Sequence, residues 1–140
     1  MLGGVLKLNI DFHTLKVGQS FSRPTLAKLW GYQDWHAIGK GIVKPAGIDK
    51  IILFIAGKKQ ETVEQYKDDF DGKVLLIDGQ ISHNTDHHLI DAINETHLFY
   101  RNTHHTDFVY YGVVKLTNFE LKNGTSPSRF EYKITQKSDS

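Results

Sequence analysis

One hundred and forty residues supply one hydrophobic core rather than two. Apolar residues at 39%, charged residues at 24% and aromatics at 11% belong to a folded globular chain, and the absence of cysteine excludes disulfide frameworks, zinc ribbons, iron–sulfur clusters and thiol catalysis. The net charge of +1 conceals an asymmetry, because residues 1–60 hold nine Lys or Arg against three Asp, a net +6, while residues 61–140 net −5. Such a split can give a nearly neutral domain one basic face, as a reader of the phosphate backbone would want, with unevenly solvated surface charge as the lesser alternative. No apolar run approaches the roughly 18 residues that span a bilayer, and Met1-Leu2-Gly3-Gly4 lacks the basic and apolar regions of a signal peptide. A soluble, cytoplasmic chain is expected, with residues 1–136 as one domain and Lys137–Ser140 as a frayed tail.

In chain order, the first predicted element is a helix from Pro24 to Trp30. Ser22 precedes it, Leu26, Leu29 and Trp30 share its apolar side, and Gly31 stops it. A strand follows over Lys50–Ala56 and another over Lys73–Ile77, both β-branched and bounded by Gly or Asp. A second helix is predicted over Asn84–Asn94, with Leu89, Ile90 and Ile93 on one face and Asp86 near its start. Strands over His97–Tyr100, Phe108–Leu116 and Phe130–Ile134 complete the pattern. Several strands with two short helices imply an α+β, mainly β domain built on a mostly antiparallel, strongly bent sheet or small barrel.

The residues offer several chemistries. His83, Asp86, His87 and His88, with His104 and His105 further on, are ligand types for transition metals, but they lack a recognisable ligand spacing, so no metal or other cofactor is expected. Asp107 followed by Glu120-Leu121-Lys122 mimics a carboxylate and Glu-x-Lys set that holds Mg²⁺ for phosphodiester cleavage. Some eleven strand residues at about 3.3 Å each would separate Asp107 from Glu120 by roughly 35 Å unless the strand folds back. The densest constellation is Tyr66-Lys67-Asp68-Asp69-Phe70-Asp71-Gly72. An aromatic ring beside carboxylates can stack on a planar heterocycle while a carboxylate accepts from its exocyclic amine. On residue chemistry alone, an acidic surface turn with Tyr66 in the core is the simpler reading.

The order of residues adds to this. Tyr66 to Gly72 resembles the Tyr-Glu-Asp-Asp-Val-Asp-x-Gly signature of the SET- and RING-associated (SRA) domain family, which reads 5-methylcytosine by flipping it out of DNA. His36-Ala37-Ile38-Gly39-Lys40-Gly41 is similar to the family's His-Val-Ala-Gly-Ile-His-Gly stretch, and Phe108–Leu116 is similar to its Tyr-x-Tyr-Asp-Gly-x-Tyr-x-Val strand. In layout the chain looks closest to the compact SRA-like module at the C-terminus of bacterial modification-dependent restriction helicases.

The resemblance implies a PUA-like barrel with two flanking helices and no catalysis by this chain. It implies that Tyr66 stacks on the flipped base and that Asp69, beside Asp68, binds its Watson–Crick edge. The family's second stacking aromatic falls where this chain has Ile77, and glycines before the tyrosine are replaced by Glu64 and Gln65. Trp30, Tyr32 or Trp35 is then expected to close the other side of the pocket. The loop with His36, Ile38 and Lys40 would enter the duplex, opposed by a shortened finger carrying Gln80, Ser82, His83 and Asn84. Lys44, Lys58 and Lys59 would take phosphates. The implied partner is double-stranded DNA carrying 5-methylcytosine or 5-hydroxymethylcytosine, read on behalf of the other domains of a restriction enzyme. A small Mg²⁺-dependent nuclease using Asp107, Glu120 and Lys122, and a protein-interaction module whose aromatics are only core, are the alternatives.

Overall fold

The computed structural model describes residues 8–58, 69–80, 82–103 and 105–135, with Lys58 described by its backbone alone. Lys59, Tyr66, Asp68, His104 and the expected tail Lys137–Ser140 lie outside the described residues. The elements run β1 (Ser20–Phe21), α1 (Arg23–Trp30), a single 3-10 turn (Trp35–Ile38), β2 (Ile42–Val43), β3 (Lys50–Lys58), β4 (Asp69–Phe70), β5 (Val74–Asp78), α2 (Asp86–Ile90), β6 (Glu95–Thr103), β7 (Phe108–Glu120) and β8 (Arg129–Ile134).

Local chemistry sets the ends of α1. Ser22 caps it, its Oγ accepting the Thr25 N–H at 3.2 Å, and Pro24 sits in the first turn, where its missing N–H costs nothing. Gly31 ends it at φ 89°, a left-handed conformation that lets its N–H turn back to the Lys28 carbonyl. Leu26, Ala27 and Trp30 form the buried stripe, while Leu29 is 50% exposed. At about 100° per residue, Leu29 falls on the side of Leu26 away from Ala27, so it cannot share that stripe. The second helix is shorter than its apolar spacing predicts. Asp91 adopts an extended conformation and stops it after Ile90, and Asn94 donates its amide N–H to the His88 carbonyl at 3.0 Å to cover the exposed end.

All the described strands join one sheet, in the order β2-β3-β6-β7-β8-β5-β4, with β1 added on β7. It is antiparallel except for β3 and β6, which run parallel with Leu53 opposite Leu98. Parallel strands are stable where both faces are covered, and β3 is buried without a break from Ile51 to Ala56. Along β3, Ile52 and Phe54 enter a core beneath α1 with Leu26, Trp30, Ile38, Phe99 and Phe108. Ile51, Leu53 and Ile55 enter the opposite core with Leu75, Ile77, Leu98, Phe130 and Tyr132. The sheet is thus the wall between two cores. β7 carries the irregularities that bend it: the register with β6 shifts between Leu98 and Phe99, opposite Gly112 at φ 83°, and the register with β8 shifts near Thr117. The result is the α+β, mainly β architecture expected, on a sheet whose described strands are mostly antiparallel, as expected, with β3 and β6 as the parallel pair. Among the described residues, no helix is long and apolar enough to cross a membrane.

Candidate functional site

Two loops meet at one open cleft. The first leaves α1 through Gly31 and is held by Asp34, whose Oδ1 accepts the His36 backbone N–H at 2.9 Å and lies 3.0 Å from His36 Nδ1. These contacts hold the Asp34 carboxyl below its ordinary range. Trp35 stacks on His36 at a centroid distance of 4.4 Å, and Gly39 lies against the indole so closely that a Cβ would come within 3.1 Å of it. Ile38 is the loop's apolar anchor, fully buried in the core under α1. Lys40 is exposed, and its carbonyl accepts from Arg23 Nη2 at 3.3 Å.

The second loop follows β5. Gly79 donates to the Ser128 carbonyl at 2.7 Å, and the loop returns through His83, which has φ 61°. His83 Nδ1 lies 2.8 Å from Asp86 Oδ2, and its Nε2 lies 2.9 Å from the Gly124 carbonyl. A carboxylate and a carbonyl both accept, so the doubly protonated imidazolium satisfies them together, and the two contacts raise the His83 pKa, that with Asp86 most. Ser128, itself buried, donates to Asp86 Oδ2 at 2.7 Å. This network ties the Gln80–Asn84 loop to the β7–β8 connection.

Between the loops lies a cleft of about 320 Å³, with Ala37, Lys40 and Lys44 on one side and Gln80, Asn84 and His88 on the other. Lys40, Gln80 and Asn84, named from sequence as insertion-loop residues, therefore come together. Ser82 is exposed on the same loop, whereas His83 is occupied by its two hydrogen bonds. β4 pairs with β5 so that Asp69 stands opposite Leu76, at the end of the pair where β5 runs on into Gly79 and Gln80. Asp69 is exposed there. Asp71 instead closes the hairpin, its Oδ1 accepting the Lys73 and Val74 N–H groups at 2.8 Å each, which holds its carboxyl below the ordinary range.

Other expected residues lie elsewhere. Trp30 is fully buried and donates its indole N–H to the Asp11 carbonyl at 3.2 Å, so it presents no ring face to a ligand. Ile77 is fully buried in the second core, and Ile38 cannot enter a duplex without leaving the first. Tyr32 is half-buried against the α1 core, which leaves Trp35, 42% exposed, as the accessible ring of the three proposed. Lys44 donates Nζ to the carbonyls of Pro45 and Ile48, so its ammonium braces the turn after β2 instead of projecting as a free cation. Asp107 and Glu120 flank and end one continuous 13-residue strand, and Lys122 pairs with Glu120 at 3.7 Å, so the nuclease set stays at opposite ends of β7.

A second cleft, of about 400 Å³, was not foreseen from sequence. Arg23, Trp35, Arg101, His105, Asp107 and Phe108 line it. Arg101 ends an otherwise buried apolar run, and such an interruption is the one trace it leaves in the sequence.

No protein-family model matches the chain, and no curated protein sequence does. Among solved structures, the crystal structure of the SUVH5 SRA domain in complex with fully methylated CG DNA matches with a TM-score of 0.55 and 16% identity, over 96% of this chain and 98% of that one. The chain therefore has an SRA-like, PUA-like α+β fold along essentially its whole length.

Proposed function

We propose that this chain is a DNA-binding module that recognises a modified cytosine, 5-methylcytosine or 5-hydroxymethylcytosine, by drawing it out of the duplex. In this reading it performs no catalysis and serves as the cytoplasmic recognition domain of a modification-dependent restriction enzyme, whose nuclease and motor belong to other domains. The observation that carries the proposal is the meeting of the Asp34–Gly41 and Gly79–Asp86 loops at one open cleft, with Asp69 at the adjoining end of β4, on a fold shared with a domain crystallised on methylated DNA.

The chemistry follows from these parts. A flipped base leaves a gap in the stack, and loops entering from two sides can fill it and hold the strands apart. Lys40, exposed at the rim, supplies a cation for the backbone. Tyr66 is assigned the stacking face and Asp69 the acceptor for the exocyclic amine, with Trp35 the accessible aromatic on the neighbouring loop.

Fluorescence anisotropy on a duplex with one modified cytosine tests this. Stacking is worth about 1–3 kcal/mol, so Tyr66→Ala should weaken binding roughly five- to a hundredfold. Stranding the base amine without its acceptor has a similar cost, about 1–3 kcal/mol, so Asp69→Ala should lose more affinity than Asp68→Ala, with Asp69→Asn between wild type and alanine. Equal or tighter binding by a folded Asp69→Ala variant would remove the pocket assignment.

A further inference from the structure

Three places in the chain set an Asp or Asn directly before a glycine: Asp71-Gly72, Asp78-Gly79 and Asn123-Gly124. In such a pair the glycine nitrogen can attack the preceding side-chain carbonyl carbon, because no Cβ shields it. The fold restrains two of the three. Gly79 gives its N–H to the Ser128 carbonyl at 2.7 Å and Asp78 is paired with Arg129, while Asp71 Oδ1 accepts the Lys73 and Val74 N–H groups. The third lies in the β7–β8 connection, where Asn123 and Gly124 are both exposed. Among the described residues, neither the Asn123 side chain nor the Gly124 N–H makes a hydrogen bond. Gly124 holds φ 63° with open space where a Cβ would lie, which leaves room for ring closure and for water.

We propose that Asn123-Gly124 is a site of spontaneous deamidation, and that its isoaspartyl product releases the β7–β8 connection from His83. The Gly124 nitrogen bonds to Asn123 Cγ and passes its proton through water to Asn123 Nδ2, which leaves as ammonia. Water then opens the resulting succinimide ring. Attack at Cγ gives aspartate, and attack at the former backbone carbonyl gives isoaspartate, whose main chain runs through the side-chain methylene. That carbonyl, which accepts the Ser126 N–H at 3.2 Å, becomes a carboxylate outside the main chain. The next one, of Gly124, lies 2.9 Å from His83 Nε2, and one added bond of about 1.5 Å is enough to take it past hydrogen-bond range. His83 then keeps only its contact with Asp86. The reaction is argued from the hairpin alone. Its effect on DNA rests on the proposed function, through the Gln80–Asn84 loop that His83 ties down.

The full chain, kept warm at mildly alkaline pH, is sampled over time by peptide mapping, with isomers separated by chromatography and identified by mass spectrometry. Asn123 should convert to aspartyl and isoaspartyl forms several-fold faster than Asn118, an exposed asparagine whose Oδ1 already accepts the Phe119 N–H at 2.9 Å. Asn123→Gln, which would need a larger ring, should abolish the conversion. An Asn123 that stays intact, or converts no faster than Asn118, overturns the site. The isoaspartyl protein, isolated by chromatography, tests the release. By NMR its His83 ring should titrate at lower pH than in fresh protein, because one acceptor that favours the imidazolium is gone while Asp86 remains. Asn123→Asp, with the carboxylate but an ordinary backbone, should not lower it. An unchanged His83 titration in the isoaspartyl form overturns the release. The same form should bind a modified duplex several-fold more weakly than fresh protein, and equal affinity would overturn the effect on the loop. If fresh protein binds no duplex, the proposed function fails while the mapping and the titration still decide the site and the release.

Discussion

The acid sensitivity of the fold should be set by His97. Its ring is 2% exposed, stacks on Phe12 at 3.5 Å between centroids, and lies 2.7 Å from both the Tyr110 hydroxyl and Glu95 Oε1. Burial pushes its pKa from 6.5 down to about 4, despite the opposing pull of Glu95. The folded state thus holds His97 neutral where the unfolded chain would protonate it. At about 1.4 kcal/mol per pKa unit, this is worth about 3 kcal/mol, fully present above pH 6.5 and lost as the pH falls towards 4. Glu95, held low chiefly by Lys50 and then by His97, adds a loss of the same sign, beginning only as the pH drops through its ordinary value of 4.5. His83 acts oppositely: its raised pKa gives stability that is present below 6.5 and lost as the pH rises through its folded value. Urea unfolding at intervals between pH 7 and 4.5 should show the wild type losing stability by up to about 1.4 kcal/mol per pH unit. His97→Gln should be less stable at pH 7 but flatter below 6.5. Parallel curves for the two proteins would refute the assignment.

Three further outcomes follow from packing. Gly79→Ala should cost about 1–3 kcal/mol by overpacking, because the added Cβ falls 2.8 Å from Asp86 Oδ1 and 2.9 Å from the Phe130 ring, and an unchanged melting temperature would contradict the described loop anchor. Trp30→Ala should lose about 3–5 kcal/mol in chemical denaturation as a core truncation, whereas Trp35→Ala should stay within about 0.5 kcal/mol of wild type yet weaken binding to a modified duplex several-fold. Lys44→Met should lower stability by about 1 kcal/mol through loss of its carbonyl contacts and leave the salt slope of DNA binding unchanged, while Lys40→Ala should lower that slope by about one unit without affecting the melt.

Strands with strong β-branched or aromatic runs were legible in the sequence: β3 begins at Lys50 and β7 at Phe108, as expected, and the other long strands lie within a few residues of their predicted bounds. The two-residue strands β1, β2 and β4 carry no period to read, and the parallel pairing of β3 with β6 is a tertiary choice. The neighbourhood of Lys40, Gln80 and Asn84, which line one cleft, was legible from their loop motifs. Apolar and aromatic residues near those motifs were not, because spacing does not tell whether a Trp or Ile faces water or the core. Trp30, Ile38 and Ile77 all face the core. The pairing of Arg23 with Arg101 over Phe108 depends on α1 meeting the ends of β6 and β7, which no local pattern encodes.

The measurement that bears most directly on the central claim is an equilibrium titration of wild-type protein with matched duplexes, unmodified or carrying one 5-methylcytosine or one 5-hydroxymethylcytosine, first without Mg²⁺ and then with it, at fixed salt. A reader of modified cytosine binds at least one modified duplex several-fold or more tightly than the unmodified one and cuts neither. Equal affinity for all three duplexes, or cleavage that appears with Mg²⁺, would contradict the account.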